Sequence, residues 1–127
     1  MLCGKGYIDA ALVKWTAGGR VNADEKGKPR FLKELDPPPV SDLWELRVYD
    51  PRPQGRLLGA FLECDTLILM RLHTRDLLNK KGTHGWENAM NACEADWTAI
   101  FGSLPRLHAP TIFEYVSENV DEFPLNR

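Results

Sequence analysis

From Leu43 onward polar and apolar residues alternate with a period of two. Leu43, Glu45, Arg47 and Tyr49 fall on one side, and Trp44, Leu46 and Val48 on the other. Successive side chains of a strand point to opposite faces, so this pattern predicts a strand over 44–49. The segment DPRPQG (50–55) is dense in turn residues and closes a hairpin onto a second predicted strand, RLLGAFLEC, at 56–64. Gly59 inside it marks a bulge or a close backbone approach. Asp65 makes the next tight turn, and TLILMRLHT (66–74) reads as a third strand. Its mostly apolar run predicts burial on both faces, as for a central strand. The short connections make neighbouring strands antiparallel.

Beyond the third strand the period changes. Trp86, Ala89, Met90, Cys93, Trp97, Ile100 and Phe101 recur at helical spacing, while Glu87, Asn88, Asn91, Glu94 and Asp96 fill the opposite side. An amphipathic helix over 86–101 is expected, with its stripe on the sheet and Gly102 ending it. A shorter stripe of Ile8, Ala11, Leu12 and Trp15 predicts an N-terminal helix over 7–16. Pro110 suits the first turn of a C-terminal helix over 110–122. Between them, 21–30 reads as an exposed loop, and 31–35 as either a helical turn or a short extended piece. Pro37, Pro38 and Pro39 then forbid a helix. The expected fold class is α+β: an antiparallel β-meander of three or more strands, packed with N-terminal and C-terminal helices in one domain.

Composition supports one ordered core. A chain of 127 residues is too short to divide well, and 43% hydrophobic with 27% charged residues is an ordinary globular balance. Cys3, Cys64 and Cys93 are odd in number and widely spaced, which argues against a disulfide framework and for a reducing compartment. The longest apolar-rich run, 57–72, is broken by Glu63, Asp65 and Arg71, and the N-terminus lacks the continuous apolar stretch of a signal peptide. The expectation is a cytoplasmic protein without a membrane partner. Net charge is −2, yet residues 1–81 carry a balance of +3 and residues 82–127 a balance of −5. That asymmetry fits either an anionic partner on one face and a cationic one on the other, or chance.

The chain holds no Gly-rich phosphate loop, CxxC, HExxH or GxSxG, and no His/Cys pair at zinc-ligand spacing. Neither a metal nor a cofactor is expected. The remaining constellation is basic: Arg47, Arg52, Arg56, Arg71, His73, Arg75, Lys80 and Lys81, drawn from adjacent strands and their loops. Alternation puts Arg71, His73 and Arg75 on one side of the third strand. Such a group suits phosphate binding, with a planar guanidinium fork and an imidazole that moves a proton. It equally suits a solvated sheet face neutralised by Glu45, Glu63 and Asp76. A small interaction domain that dimerises through an exposed Trp44 or Tyr49 is a further alternative.

The order of pieces resembles the RelE/HigB-like toxins of toxin–antitoxin pairs, phage-derived relatives included. The segments carrying the resemblance are FLKEL (31–35), DLWELRV (42–48), QGRLLGAF (54–61), TLILMRLHTR (66–75), NKKG (79–82) and WENAMNACEADW (86–97). LWELR followed by a strand-opening Arg is the most specific part, and the likeness spans about residues 31–97. The resemblance implies a metal-independent endoribonuclease that cleaves ribosome-bound mRNA and is shielded by a cognate antitoxin. It implies catalytic roles for Arg56, His73 and Arg75, and RNA contacts from Arg47, Arg52, Arg71, Lys80 and Lys81. In the position of the family's F-x-K-K-x-x-K-T-P segment stands LHTRDLLNKKGTHG, and 103–127 form an extra C-terminal helix and tail. The same resemblance also allows a non-catalytic prophage or regulatory binding module.

Overall fold

A computed structural model describes residues 32–48, 53–118, 120 and 125. The expected N-terminal helix over 7–16 lies outside them, as do Arg52 and Tyr49. Four antiparallel strands form one sheet in sequence order: β1 (Leu32–Glu34), β2 (Trp44–Val48), β3 (Gly55–Glu63) and β4 (Thr66–Thr74). The alternating segment around LWELR is therefore a strand, and the ambiguous piece before the prolines is extended. One helical turn, α1 (Arg75–Leu78), leads to the long helix α2 (Gly85–Phe101). Gly102 follows with φ of +62°, and its N–H donates to the Thr98 carbonyl at 2.8 Å. That left-handed backbone is one a glycine adopts without strain.

Each face of the sheet has its own cover. Leu58 and Ala60 of β3 pack with Leu35, Val40 and Leu43 against Ala89, Met90, Cys93 and Trp97 of α2. Four residues of the predicted stripe, Ala89, Met90, Cys93 and Trp97, are thus buried on the sheet, whereas Trp86 and Phe101 are half-buried and Ile100, near the end of the helix, is exposed. The Trp97 indole N–H donates to the Leu104 carbonyl at 2.8 Å. The opposite face holds Leu32, Trp44, Leu46 and Phe61. Over it lie Ala109, Ile112, Tyr115, Val116 and Val120. Trp44, Phe61 and Tyr115 meet with centroids 4.8–5.3 Å apart, a tilted and edge-to-face trio. Trp44 is wholly enclosed, so it offers no exposed dimer surface.

The C-terminal cover is not the helix expected over 110–122. Among the described residues it is an irregular segment with a single 3-10 turn, Ile112–Glu114. Side-chain and loop contacts set its path instead. The Ala109 N–H donates to the Tyr115 hydroxyl at 2.9 Å, and the Leu107 N–H to the Phe61 carbonyl at 2.8 Å. Asp65, with φ of +62° in the β3–β4 turn, accepts from the Ser117 N–H at 2.9 Å and the Ser117 hydroxyl at 2.5 Å. These two bonds hold the Asp65 carboxyl below the usual carboxylate range.

β4 also departs from expectation. Among the described residues it is the edge of the sheet rather than a central strand, and all nine of its residues are only partly buried. Its apolar run has a local cause. The register shifts between Leu58 and Gly59, so Leu58 faces Arg71 while Gly59 faces Leu69, and Met70 is the extra residue. Met70 and Arg71, although adjacent in sequence, therefore both lie on the helix side, which regular alternation does not allow. Gly59 makes the approach possible, since a Cβ there would stand 2.0 Å from the Ile68 carbonyl oxygen.

Candidate functional site

Strand register assembles part of the basic constellation. Arg47 pairs with Arg56, and Arg56 pairs with His73, so the three form one row across β2, β3 and β4. The next row on the same face is Glu45, Leu58 and Arg71. Like charges directly opposite each other repel across a sheet, so the Arg47–Arg56 pair requires a counterion. Glu45 supplies it. Its carboxylate accepts from Arg47 Nε at 2.7 Å and stands 3.8 Å from Arg56 Nε.

Burial separates the members of the row. Glu45 is 1% exposed and Arg56 4%, while Arg47 is partly exposed. The Arg56 guanidinium also donates to the Gly55 carbonyl at 2.9 Å and to Gln54 Oε1 at 3.4 Å. Arg56 is thus a packed, ion-paired side chain with little surface to offer a ligand. Its place at the start of β3, beside the end of β4, is the one its sequence position implied. His73 is partly buried, and its Nε2 is enclosed without a hydrogen-bond partner. Burial first, and the neighbouring Arg71 charge second, push the His73 imidazole below its ordinary value. It is accordingly neutral near pH 7.

The other candidates divide. Arg71 grips Asp96 of α2 with Nε at 2.5 Å from Oδ2 and a terminal nitrogen at 3.1 Å from Oδ1. This two-pronged pair ties the edge strand to the helix, and it holds the Asp96 carboxyl below its usual range. Arg75 leaves the strand altogether: it opens α1, is exposed, and donates its N–H to the Gln54 carbonyl at 2.8 Å. Lys80 and Lys81 are exposed in the turn after α1. Arg75, Lys80 and Lys81 thus follow the end of β4 in the chain as exposed side chains, with exposed Asp76 among them.

Two clefts flank α2 on this face. One, of about 410 Å³, lies beside β1 and β2 and is lined by Lys33, Glu45, Arg47, Trp86, Glu87 and Met90 among others. The Trp86 indole N–H donates to Asn79 Oδ1 at 2.7 Å, which fixes the ring at its border. The other, of about 590 Å³, runs along β4 from Leu69 to His73 and is walled by Asp96, Ala99 and Ile100. Sequence reasoning named Glu45 as a neutralising partner but missed Asp96, because a contact spanning 25 residues between strand and helix leaves no local trace. It also missed Trp86 as a cleft wall, since a helical stripe assigns it only to the core.

Among the described residues no group of three His, Cys, Asp or Glu side chains is placed to hold a metal ion, and no helix is long and apolar enough to cross a membrane. Cys93 is buried under α2, and burial pushes its thiol up to about 11. Scans against family models, curated proteins and solved structures return no match.

Proposed function

We propose that the protein is a RelE/HigB-like toxin, a metal-independent endoribonuclease acting on ribosome-bound mRNA in the cytoplasm. The observation that carries this reading is the cross-strand row of Arg47, Arg56 and His73, with exposed Arg75, Lys80 and Lys81 following β4 in the chain. LWELR and the strand-opening Arg56, which carry the family resemblance, are the residues that build the row. In such chemistry a ribose 2′-hydroxyl attacks the adjacent phosphorus and the bond to the 5′-oxygen breaks. His73, neutral at working pH, takes the hydroxyl proton, and the departing 5′-oxygen takes a proton from water. Arg75, with Arg47 and the two lysines, offsets the charge gathering on the phosphate oxygens. Arg56, enclosed with Glu45, positions His73 from the neighbouring strand. A cognate antitoxin of complementary charge would cover Arg75, Lys80 and Lys81.

The test is translation-coupled mRNA cleavage in the presence of EDTA, comparing the parent chain with Arg56→Ala, His73→Ala and Arg75→Ala. Loss of one fixed donor is expected to cost about two to three decades in rate. No cleavage by the parent chain, or equal cleavage by all four proteins, rejects the nuclease reading. A second reading is then the better one: a non-catalytic binding module of the same architecture. The burial of Arg56 against Glu45 favours it, because that pair needs no ligand to account for it.

A further inference from the structure

Two polar side chains of β4, Arg71 and His73, line the cleft beside α2, and α2 contributes Asp96 to the same wall. Side chains two apart on a strand share a face, so guanidinium and imidazole are neighbours on the helix side. The bulge at Met70 sets that placement, because it brings Arg71 to the helix side beside Met70. Asp96 then grips the fork through Nε and one terminal nitrogen. A planar fork held at two points is fixed in direction as well as in distance. His73 is half-buried, and a fixed charge acts on a ring in such surroundings more strongly than it would in water. Among the described residues, the charged groups around the ring come from four elements. Arg56 stands opposite it on β3, with its counterion Glu45 on β2. Arg71 precedes it by two positions, Arg75 follows it by two as an exposed side chain, and Asp96 faces the cleft from α2.

We infer that Arg71 and Asp96 are positioning residues for His73, a clamp by which α2 fixes the charge that stands beside the imidazole. Arg71 opposes protonation of the ring, and Asp96 limits that opposition by holding the contrary charge against the guanidinium. The helix thereby reaches a ring that it need not touch. Any use of the clamp in proton transfer rests on the nuclease reading, whereas its hold over the ring does not.

Proton NMR titration of the histidine rings in the full chain tests the clamp, with the His73 resonance assigned by its absence from His73→Gln. Arg71→Gln removes the cation, and His73 is expected to bind its proton about three- to tenfold more tightly. Asp96→Asn keeps an acceptor oxygen for the fork but removes its charge, and His73 is expected to bind its proton about two- to fivefold more weakly. Asp96→Glu restores the charge and is expected to return the ring toward the parent titration. His84 and His108 lie against other carboxylates, Glu87 and Asp42, and are expected to titrate alike in every chain. A general loosening of the fold would move all three rings together. Where the parent chain cleaves mRNA, the acid limb of its rate profile is expected to move with the ring, up for Arg71→Gln and down for Asp96→Asn. A His73 titration unmoved by either substitution overturns the inference, as do shifts of the same sign from both. The expected ring shifts in a chain that cleaves no RNA reject the nuclease reading alone and leave the clamp standing.

Discussion

Arg56 stands directly opposite His73 across the β3–β4 ladder, and Arg47 stands directly opposite Arg56 on the other side. The central cation of this row is the most enclosed, and its compensating charge arrives from the neighbouring row, through Glu45. Glu45 thus lets two arginines occupy facing positions on the sheet by sharing its carboxylate between them.

Glu45→Ala is expected to destabilise the fold by about 3–5 kcal/mol, because it removes a buried carboxylate that balances the enclosed Arg56 charge. Replacing both partners by apolar residues of similar volume, Glu45→Leu with Arg56→Met, is expected to recover most of that loss. Urea denaturation of Glu45→Leu, Arg56→Met and the double variant measures the difference. Additive losses in the double variant would show that the two side chains do not share a charge balance.

The His73 imidazole is depressed below its ordinary value by burial and by Arg71. The unfolded chain then binds a proton that the folded chain resists, so stability rises with pH through this window. The contribution is complete above the unfolded value of about 6.5 and is lost as pH falls toward and through the lower folded value. Denaturation midpoints measured from pH 7.5 down to 5 are expected to fall more steeply for the parent chain than for His73→Gln. Parallel curves would mean that the ring titrates as it does in the unfolded state. If the nuclease reading holds, the acid limb of the rate profile shifts below about 6.5 for the same reason.

Gly59→Ala is expected to be among the most damaging single-atom additions to this chain. The new Cβ would meet the Ile68 backbone at 2.0 Å, and backbone in a ladder cannot swing aside as a flexible side chain can. A loss of about 1–3 kcal/mol follows from overpacking alone. A destabilisation under about 0.5 kcal/mol in urea would show that the bulge relaxes without cost.

The fold was most legible where one period ran unbroken. β2, β3 and α2 lie within a residue or two of the bounds their alternation and stripe predict. β4 has the bounds predicted for it, 66–74, but its place was misread: Met70 adds an apolar residue that belongs to no regular alternation, and the strand looks central when it is an edge among the described residues. The C-terminal segment failed differently. Ile112, Val116 and Val120 keep helical spacing and are buried, yet their backbone follows Asp65 and Phe61, partners far back in the chain. For the candidate site, register delivered the row of Arg47, Arg56 and His73. Pairing of Arg71 with Asp96 depends on how a helix lies across a sheet, which no local pattern encodes.

The cover over the Trp44 face has a consequence for the order in which this chain can be made. The bonds that hold it join Asp65 to Ser117, 52 positions later. On a chain emerging from its N-terminus, Trp44, Leu46 and Phe61 have their strand neighbours long before Ile112, Tyr115 and Val116 exist to enclose them. Through that interval an aromatic surface faces water, and association between unfinished chains competes with completion. The helix-side core carries no such delay past Trp97, because its last members follow the sheet directly. The two sides of the sheet thus reach their dry states at different times, and the later one depends on the segment from Ala109 to Val120 being present.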